Sequence, residues 1–211
     1  MLRYIGITVV GYLLGSISPS ALISKIKNKD LRQHGTGNLG ATNTLFNFGK
    51  AWAALVMIFD MLKAIVAFRV AAYLLPASRV AGLLGGGAAI LGHVFPFYLK
   101  FKGGKGLASF AGLVLAYDPK IFMILFVISV SLMLICNYSV AMPMSATLLF
   151  PIMAGLRDHS FTVFFLVSAI CAFVAFMHRG NLAGAVNGTD VKVREYIKEH
   201  LFGDDDVEEK K

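Results

Sequence analysis

Charged side chains are scarce in this sequence of 211 residues: they make up 15% of the chain, whereas a soluble domain carries about 25%. Hydrophobic residues account for 57% of it, and the mean hydropathy is +0.70. This composition excludes a water-soluble globular domain, because so small a surface cannot keep that much apolar side chain out of water. A lipid bilayer is therefore the expected solvent.

Cysteine is also rare, with two residues, Cys136 and Cys171, each inside an apolar run. Their spacing excludes a disulfide framework or a cysteine metal site, so we expect two buried thiols and no metal. The net charge of +8 does not indicate nucleic-acid binding, because no basic stripe is interleaved with exposed aromatic residues.

Long apolar runs without alternation predict helices rather than a barrel, since every backbone polar group must be paired within lipid. We predict an all-α polytopic membrane bundle that forms one domain over 1–211. Seven helices are predicted. Two of them, 106–117 and 144–156, are short enough to be re-entrant segments, so five spans are the alternative to seven. The predicted helices are 4–26, 51–75, 80–97, 106–117, 121–136, 144–156 and 160–177.

The positive charges predict how the bundle is oriented. Fourteen Lys and Arg residues lie in the loops at 25–50 and 100–105 and in the tail at 179–211, against four in the opposite loops. By the positive-inside rule the N-terminus is outside and the C-terminus is cytoplasmic. The first segment is expected to be a retained span rather than a signal peptide. The tail 195–211 is expected to begin as an interfacial helix and to end frayed.

Three stretches on the predicted cytoplasmic side have unusual compositions. The first motif, 35–43, alternates glycine with small polar residues, so its backbone N–H groups could converge on an anion. A flexible linker is the alternative. The candidate binding residues of this motif are Thr36, Gly37, Asn38, Gly40 and Asn43.

The second motif, 92–106, ends in Lys102-Gly103-Gly104-Lys105-Gly106. It lacks the serine or threonine that a nucleotide P-loop requires after its lysine. A lysine flanked by glycines at the start of a helix still suits a phosphate. Simple attraction to anionic headgroups is the alternative, but it would not need this glycine spacing.

The third motif contains His178, Arg179 and Asn181 and closes at Asp190. Together with His93 of the second motif, His178 makes a general base possible near neutral pH. Inside the second predicted helix, Asp60 and Lys63 share one face. They form either a self-neutralising structural pair or part of the catalytic machinery.

The three motifs, in this order, resemble those of the bacterial acyl-phosphate:glycerol-3-phosphate acyltransferases. That family carries Gly-Ser-Gly-Asn-Ile-Gly-Ala-Thr-Asn, then Gly-His-x-Phe-Pro followed by Phe-Lys-Gly-Gly-Lys-Gly, then His-Arg-x-Asn-Ile ending in Gly-x-Glu. The similarity extends to 14–17 in the first predicted helix and to Asp60, Leu62 and Lys63 in the second. It therefore spans almost the whole chain.

The resemblance implies a multi-pass protein of the bacterial cytoplasmic (inner) membrane that transfers a fatty acyl group from acyl phosphate to the sn-1 hydroxyl of glycerol 3-phosphate. The products would be lysophosphatidic acid and inorganic phosphate. The protein would be surrounded by membrane lipid, would need no cofactor and would function as a monomer. On this basis we assign catalytic roles to His93, Lys105, His178 and Asn181. The other predicted substrate or phosphate contacts are Thr36, Gly37, Asn38, Gly40, Asn43, Lys102, Gly103, Gly104, Gly106, Ser139, Arg179 and Asp190.

The sequence departs from the family pattern at several positions. Thr36 replaces a serine, and Asp190 replaces a glutamate. Phe46 and Gly184 stand where the family usually has arginines, which removes two potential phosphate donors. The loop 137–143 also differs, with its serine displaced to Ser139.

These departures leave alternatives to the acyltransferase open: a divergent member with a different acceptor, or one without catalysis. A small anion transporter is a further alternative, although it would need a polar path to the outer face.

Overall fold

The computed structural model describes residues 1–190 and 192–195. Within that part the chain is helical, and a single pair of residues, Tyr138 and Lys192, forms an isolated antiparallel bridge. The predicted tail helix lies outside the described residues, apart from Glu195. The α-helices are α1 (Leu2–Ser16), α2 (Pro19–Ile26), α3 (Ala41–Phe48), α4 (Lys50–Leu74), α5 (Ala81–Val94), α6 (Leu107–Tyr117), α7 (Pro119–Cys136), α8 (Ala141–Asp158), α9 (Phe161–Met177) and α10 (Arg179–Val186).

All seven predicted segments are helical, so the all-α fold is confirmed. Two short helices, α3 and α10, were not predicted, and α8 has 18 residues where a shorter helix was expected. Within the described residues, four helical segments are long and apolar enough to cross a bilayer. The α9–α10 pair, bent by 55°, would make a fifth. The number of spans and their orientation stay predictions.

The first predicted helix is broken between α1 and α2. Pro19 starts α2, and the Ser18 hydroxyl caps it by accepting a hydrogen bond from the Ala21 N–H at 3.3 Å. Proline has no N–H to continue the helical ladder, so carbonyls before it lose their partners. Side chains from other parts of the chain replace these partners, because Tyr98 Oη donates to Ser16 O and Lys63 Nζ to Ile17 O, each at 2.8 Å.

Helix α5 packs closely against α1 through small residues. A methyl group added at Gly11, Gly15 or Gly92 would overlap the backbone of the facing helix. Such contacts let helix backbones approach closely. In lipid this close packing holds helices together, because burying an apolar side chain away from lipid tails gives little free energy. The close approach brings the C-terminal end of α5, with His93, next to the break in the first helix.

The two cysteines differ in environment. Cys171 is buried in the apolar core formed by α5 to α9, as expected, whereas Cys136 is exposed at the end of α7. The expectation of two buried thiols is therefore wrong for Cys136. An apolar run on a membrane helix need not face the protein interior, because lipid is an equally apolar neighbour.

The segment that follows the third motif is fastened to the end of α7. The Arg194 guanidinium donates to the Leu134 carbonyl at 2.9 and 3.2 Å, and the Arg194 backbone N–H donates to Asn137 Oδ1 at 2.8 Å. The Val193 N–H donates to the Asn137 carbonyl at 3.1 Å. A cation at a helix C-terminus satisfies carbonyls that have no partner within the helix.

Replacing Arg194 with alanine is expected to lower the melting temperature in detergent by a few degrees, because α7 loses hydrogen bonds from a charged donor worth about 1.5–3 kcal/mol. Thermal-shift measurements would check this. Lys192→Ala is the matched control, since among residues 1–190 and 192–195 its side chain pairs only with exposed Glu195, at 3.5 Å. Equal melting temperatures for the Arg194 variant and the unaltered protein would contradict the role of this clamp.

Candidate functional site

A cavity of about 350 Å³ lies where the three motifs meet. Three cations border it: Lys102, Lys105 and Arg179. Its remaining wall is largely apolar, so a charged group and an alkyl chain could occupy it together. The full lining is Asn38, Val94, Phe95, Phe101, Lys102, Gly103, Gly104, Lys105, Met177, Arg179 and Gly180.

The second motif folds back onto the end of α5. The Gly103 N–H donates to the Val94 carbonyl at 2.9 Å, and the Gly104 N–H donates to the His93 carbonyl at 3.1 Å. These two amides are therefore used within the protein, although both glycines, which were predicted as phosphate contacts, line the cavity. Among the described hydrogen bonds, the amides of Lys105 and Gly106 have no acceptor. They remain available to a ligand, together with the first turn of α6, which begins directly after Gly106.

Glycine at position 104 is required by close contacts. A Cβ there would overlap the imidazole Nε2 of His93 and would lie 2.6 Å from the Leu39 carbonyl oxygen. At Gly106 the backbone has φ +87°, a left-handed conformation that favours glycine. The glycines of the second motif thus shape the loop that carries Lys105.

Lys105 connects the second motif to the third. Its ammonium donates to Asn181 Oδ1 and lies near the carboxylate of Asp190. Burial lowers the pKa of the Lys105 ammonium, and the negative charge of Asp190 opposes that shift. One Asp190 oxygen, Oδ2, is buried and has no hydrogen-bond partner among the described residues. Asp190 Oδ2 can therefore accept a hydrogen bond from a ligand that carries a donor group.

His178 follows α9 directly, and its ring orientation is fixed. The Nδ1 atom lies 2.9 Å from the Val174 carbonyl, which can only accept, so Nδ1 carries the proton and Nε2 keeps a lone pair. Burial lowers the pKa of this imidazole. The nearby Lys105 charge lowers it further, and the hydrogen bond to Val174 opposes both. His178 is therefore a neutral acceptor at pH 7.

His93 belongs to a different group, buried between α4 and α5. Lys63 Nζ lies 2.7 Å from Asp60 Oδ1 and 2.9 Å from His93 Nδ1, and His93 Nδ1 lies 3.2 Å from the same carboxylate oxygen. The side chains of all three residues are at most 7% exposed. The predicted pairing of Asp60 with Lys63 is confirmed, and His93 joins the pair.

The first motif is organised around Asn43, which is fully buried. Its Nδ2 donates to the Leu31 and His34 carbonyls at 2.7 and 3.0 Å, and its Oδ1 accepts from the Thr36 N–H at 2.9 Å. Both ends of the Asn43 amide thus hold the loop together and are not directed at the cavity. Of this motif's candidate residues, only Asn38 is among those that line the described cavity.

The remaining predicted residues are distributed as follows. Arg179 lies on the cavity wall, where its guanidinium stacks 4.0 Å from the Phe176 ring centroid and donates to the Phe176 carbonyl at 2.9 Å. Thr36, Gly37 and Ser139 are exposed in loops and are outside the described cavity lining. Across the described residues, no group of three or more His, Cys, Asp or Glu side chains could hold a metal ion.

Four apolar residues of the lining were not predicted from the sequence: Val94, Phe95, Phe101 and Met177. The repeated phenylalanines of the second motif were the available signal. In an apolar chain they could not be distinguished from residues that face lipid.

The model of the glycerol-3-phosphate acyltransferase family matches residues 5–188. The chain belongs to this family. A glycerol-3-phosphate acyltransferase 2 from Bacillus cereus is 36% identical over 185 residues, which cover 87% of this chain and 92% of the relative. A glycerol-3-phosphate acyltransferase from Bacillus subtilis is 33% identical over 187 residues, covering 88% and 95%.

Solved structures agree with this family assignment. The glycerol 3-phosphate form of PlsY, an integral membrane glycerol 3-phosphate acyltransferase, superposes with a TM-score of 0.83 at 30% identity. The superposed residues cover 90% of this chain and 94% of the PlsY chain. The lysophosphatidic acid form gives a TM-score of 0.81 at 29% identity with the same coverage. The chain is therefore a membrane acyltransferase of this family.

The two positions where the family usually has arginine differ in their surroundings. Phe46 lies on α3 and is 40% exposed. Gly184 lies on α10, and a Cβ there would be 3.3 Å from Asp190 Cβ. A longer side chain at position 184 would thus stand beside the carboxylate that faces Lys105.

In this acyltransferase, Asp190→Asn is expected to move the alkaline limb of the kcat/KM profile to lower pH. Burial already holds the pKa of Lys105 below its usual 10.5, and Asp190 raises it, so loss of the carboxylate charge lowers that pKa further. If acyl transfer needs the charged Lys105 ammonium, kcat/KM falls as the pH rises through the pKa of Lys105. In the variant this fall occurs at a lower pH. Rates between pH 7 and 10.5 would measure the shift.

Asp158→Asn, at the C-terminal end of α8, removes the same charge elsewhere and should leave the alkaline limb in place. The thermal stability of each variant is checked at every pH. An unchanged limb in Asp190→Asn would contradict the coupling of Asp190 to Lys105.

Proposed function

We propose that the cavity binds an acyl phosphate beside glycerol 3-phosphate and transfers the acyl group to the sn-1 hydroxyl. The observation that carries the proposal is the pairing of Lys102, Lys105 and Arg179 with an apolar wall in one cavity. Cations suit the phosphates of both substrates, and the apolar wall suits the alkyl chain of the donor.

Lys105 is assigned to phosphate binding, together with the free amides at the start of α6. The helix N-terminus supplies N–H groups and a partial positive charge, and the ammonium supplies a full charge next to them. Asn181 accepts a hydrogen bond from Lys105 and thereby directs the ammonium. Lys102 and Arg179 stand on the same wall, where a second phosphate would lie.

The proposed step forms one ester bond and breaks one mixed-anhydride bond. The sn-1 oxygen attacks the acyl carbonyl carbon, the carbon–oxygen bond to phosphate breaks, and inorganic phosphate leaves. The hydroxyl proton passes to Nε2 of His178, which keeps a lone pair because Nδ1–H donates to Val174. His178 is thus the proton acceptor of this proposal: its chain neighbours Met177 and Arg179 line the cavity, and its Nε2 lone pair is free of the Val174 contact.

An acyl phosphate is the donor that best suits these residues. It carries its own leaving group, so the protein need only position two substrates and neutralise their charges. The described cavity lining contains no serine or cysteine that could act as an acyl-enzyme nucleophile. Cys171 is buried in the apolar core, and the Ser109 hydroxyl donates to the Asp60 carbonyl at 3.0 Å.

The charge distribution supports a site at the cytoplasmic face of the bacterial inner membrane, with the N-terminus outside. The cations of the cavity belong to the predicted cytoplasmic set. One chain contributes all three motifs to the cavity, which supports a functional monomer.

Purified protein in detergent or lipid is expected to convert palmitoyl phosphate and glycerol 3-phosphate into equal amounts of lysophosphatidic acid and inorganic phosphate. Mass spectrometry and a phosphate assay would measure the two products. Glycerol, which lacks the phosphate, is the matched control acceptor and should react far more slowly. Transfer from an acyl thioester but not from acyl phosphate would overturn the proposed donor.

The same assay separates the alternatives. If another phosphorylated alcohol reacts rapidly and glycerol 3-phosphate is a poor acceptor, the protein is a divergent member with a different acceptor. The absence of arginine at positions 46 and 184 would then contribute to the changed preference. No transfer to any acceptor would indicate a member without catalysis. An anion transporter would instead carry anions across the membrane of vesicles, with little or no acyl transfer. Asp60 and Lys63, the charges buried within α4, neutralise each other and do not extend a polar path.

A further inference from the structure

The buried group Asp60–Lys63–His93 is separate from the Lys105–Asn181 pair, yet its His93 belongs to the same motif as Lys105. Lys63 Nζ has three acceptors close by: Asp60 Oδ1 at 2.7 Å, the Ile17 carbonyl at 2.8 Å and His93 Nδ1 at 2.9 Å. An ammonium group has three N–H donors and no acceptor. Each Lys63 donor is therefore used, and the third one is directed at the imidazole.

This arrangement determines which ring nitrogen of His93 carries the proton. Nδ1 has two neighbours, the Lys63 ammonium at 2.9 Å and Asp60 Oδ1 at 3.2 Å. The closer one is an ammonium, which can only donate, so we infer that Nδ1 offers its lone pair to Lys63. A neutral imidazole then carries its proton on Nε2. The Ile17 carbonyl is available to hold Lys63 because Pro19 breaks the first helix there.

The opposite side of the His93 ring faces the junction of the first two motifs. The Nε2 atom lies against Gly104, at the point where a Cβ would stand, and the Leu39 carbonyl lies next to the same point. Nε2 has no hydrogen-bond partner among the described residues, and the His93 side chain is 7% exposed. The Gly104 backbone beside it lines the cavity.

We propose that Asp60 and Lys63 are positioning residues that hold His93 as the neutral Nε2–H tautomer, so that it donates a hydrogen bond to a phosphoryl oxygen at this junction. The phosphoryl ligand rests on the proposed function, whereas the tautomer does not. His93 and His178 then have opposite tautomers and opposite roles. His93 donates from Nε2, and His178 accepts at Nε2.

The tautomer is tested directly by ¹⁵N NMR of the histidine-labelled full chain in lipid. The expected spectrum has His93 protonated at Nε2 and unprotonated at Nδ1, with the signal assigned by its loss in His93→Gln. Lys63→Met should leave Nδ1 protonated, because only the acceptor Asp60 remains beside it. Asp60→Asn, which removes the other charge of the pair, should keep Nε2 protonated. A Nδ1–H tautomer in the unaltered protein would overturn the proposal, as would a tautomer change in Asp60→Asn but not in Lys63→Met.

The donor role is tested by kinetics with glycerol 3-phosphate and palmitoyl phosphate. A glutamine amide can donate a hydrogen bond from near the Nε2 position, whereas leucine cannot. We expect His93→Gln to exceed His93→Leu in kcat/KM by roughly tenfold to a hundredfold, the effect of one hydrogen bond to a charged group. Equal losses in the two folded variants would overturn the donor role. An inactive unaltered protein would instead refute the proposed function and leave the tautomer result unaffected.

Discussion

Lys105→Ala is expected to reduce acyl transfer by at least about 10²–10³-fold, the loss typical for removal of one preorganised charge-stabilising group. Lys105 is the cation that joins the second motif to the third through Asn181, and it lies beside Asp190. Its removal leaves the carboxylate without its positive neighbour, close to where phosphate would bind. Initial rates of phosphate release and lysophosphatidic acid formation measure the loss.

Lys102→Ala is the matched control, because it removes the same charge from the same cavity wall. Lys102 is exposed and has no hydrogen bond to the third motif among the described contacts. We expect its loss to raise KM less than about tenfold and to leave kcat nearly unchanged, as for one screened surface charge. Similar defects in the two variants would show that Lys105 acts only as part of a general positive field.

Gly104→Ala is expected to disable the site without removing any functional group. The added methyl would overlap His93 Nε2 and approach the Leu39 carbonyl oxygen to 2.6 Å. Neither neighbour can yield easily, since one is backbone and the other is held by Lys63. The loop must shift, and a displacement of about 1 Å can cost roughly 10²-fold in rate. KM and kcat for both substrates would be measured.

Gly180→Ala provides the control at another glycine of the cavity lining. A Cβ at that position meets nothing within 4 Å, and alanine favours α10. This variant should keep its activity and its melting temperature. Full activity in Gly104→Ala would contradict the close packing of the second motif on His93.

The sequence was sufficient to predict the helical segments, because unbroken apolar runs in lipid leave few alternatives. The break at Ile17 was not predicted, although Pro19 signals it. A proline at the start of one helix and a proline within a kinked helix look alike in sequence. The short helices α3 and α10 were missed because their small and polar residues carry no membrane signal.

For the site, the sequence suggested residue types, and their roles stay predictions. Asn43 was predicted to bind substrate, and its amide instead holds the first motif together from a buried position. His93 could not be placed beside Asp60 and Lys63 from spacing alone. That contact depends on how α4, α5 and α1 pack, which glycines such as Gly15 and Gly92 make possible.

The cavity combines cations with the apolar side chains of Phe95, Phe101 and Met177. A donor and a product with long alkyl chains dissolve in the bilayer, whereas glycerol 3-phosphate and inorganic phosphate dissolve in water. The rate should therefore follow the mole fraction of the donor among the lipids, and dilution with inert lipid should slow the reaction at constant bulk concentration. Accumulated lysophosphatidic acid should inhibit from within the leaflet until another enzyme consumes it.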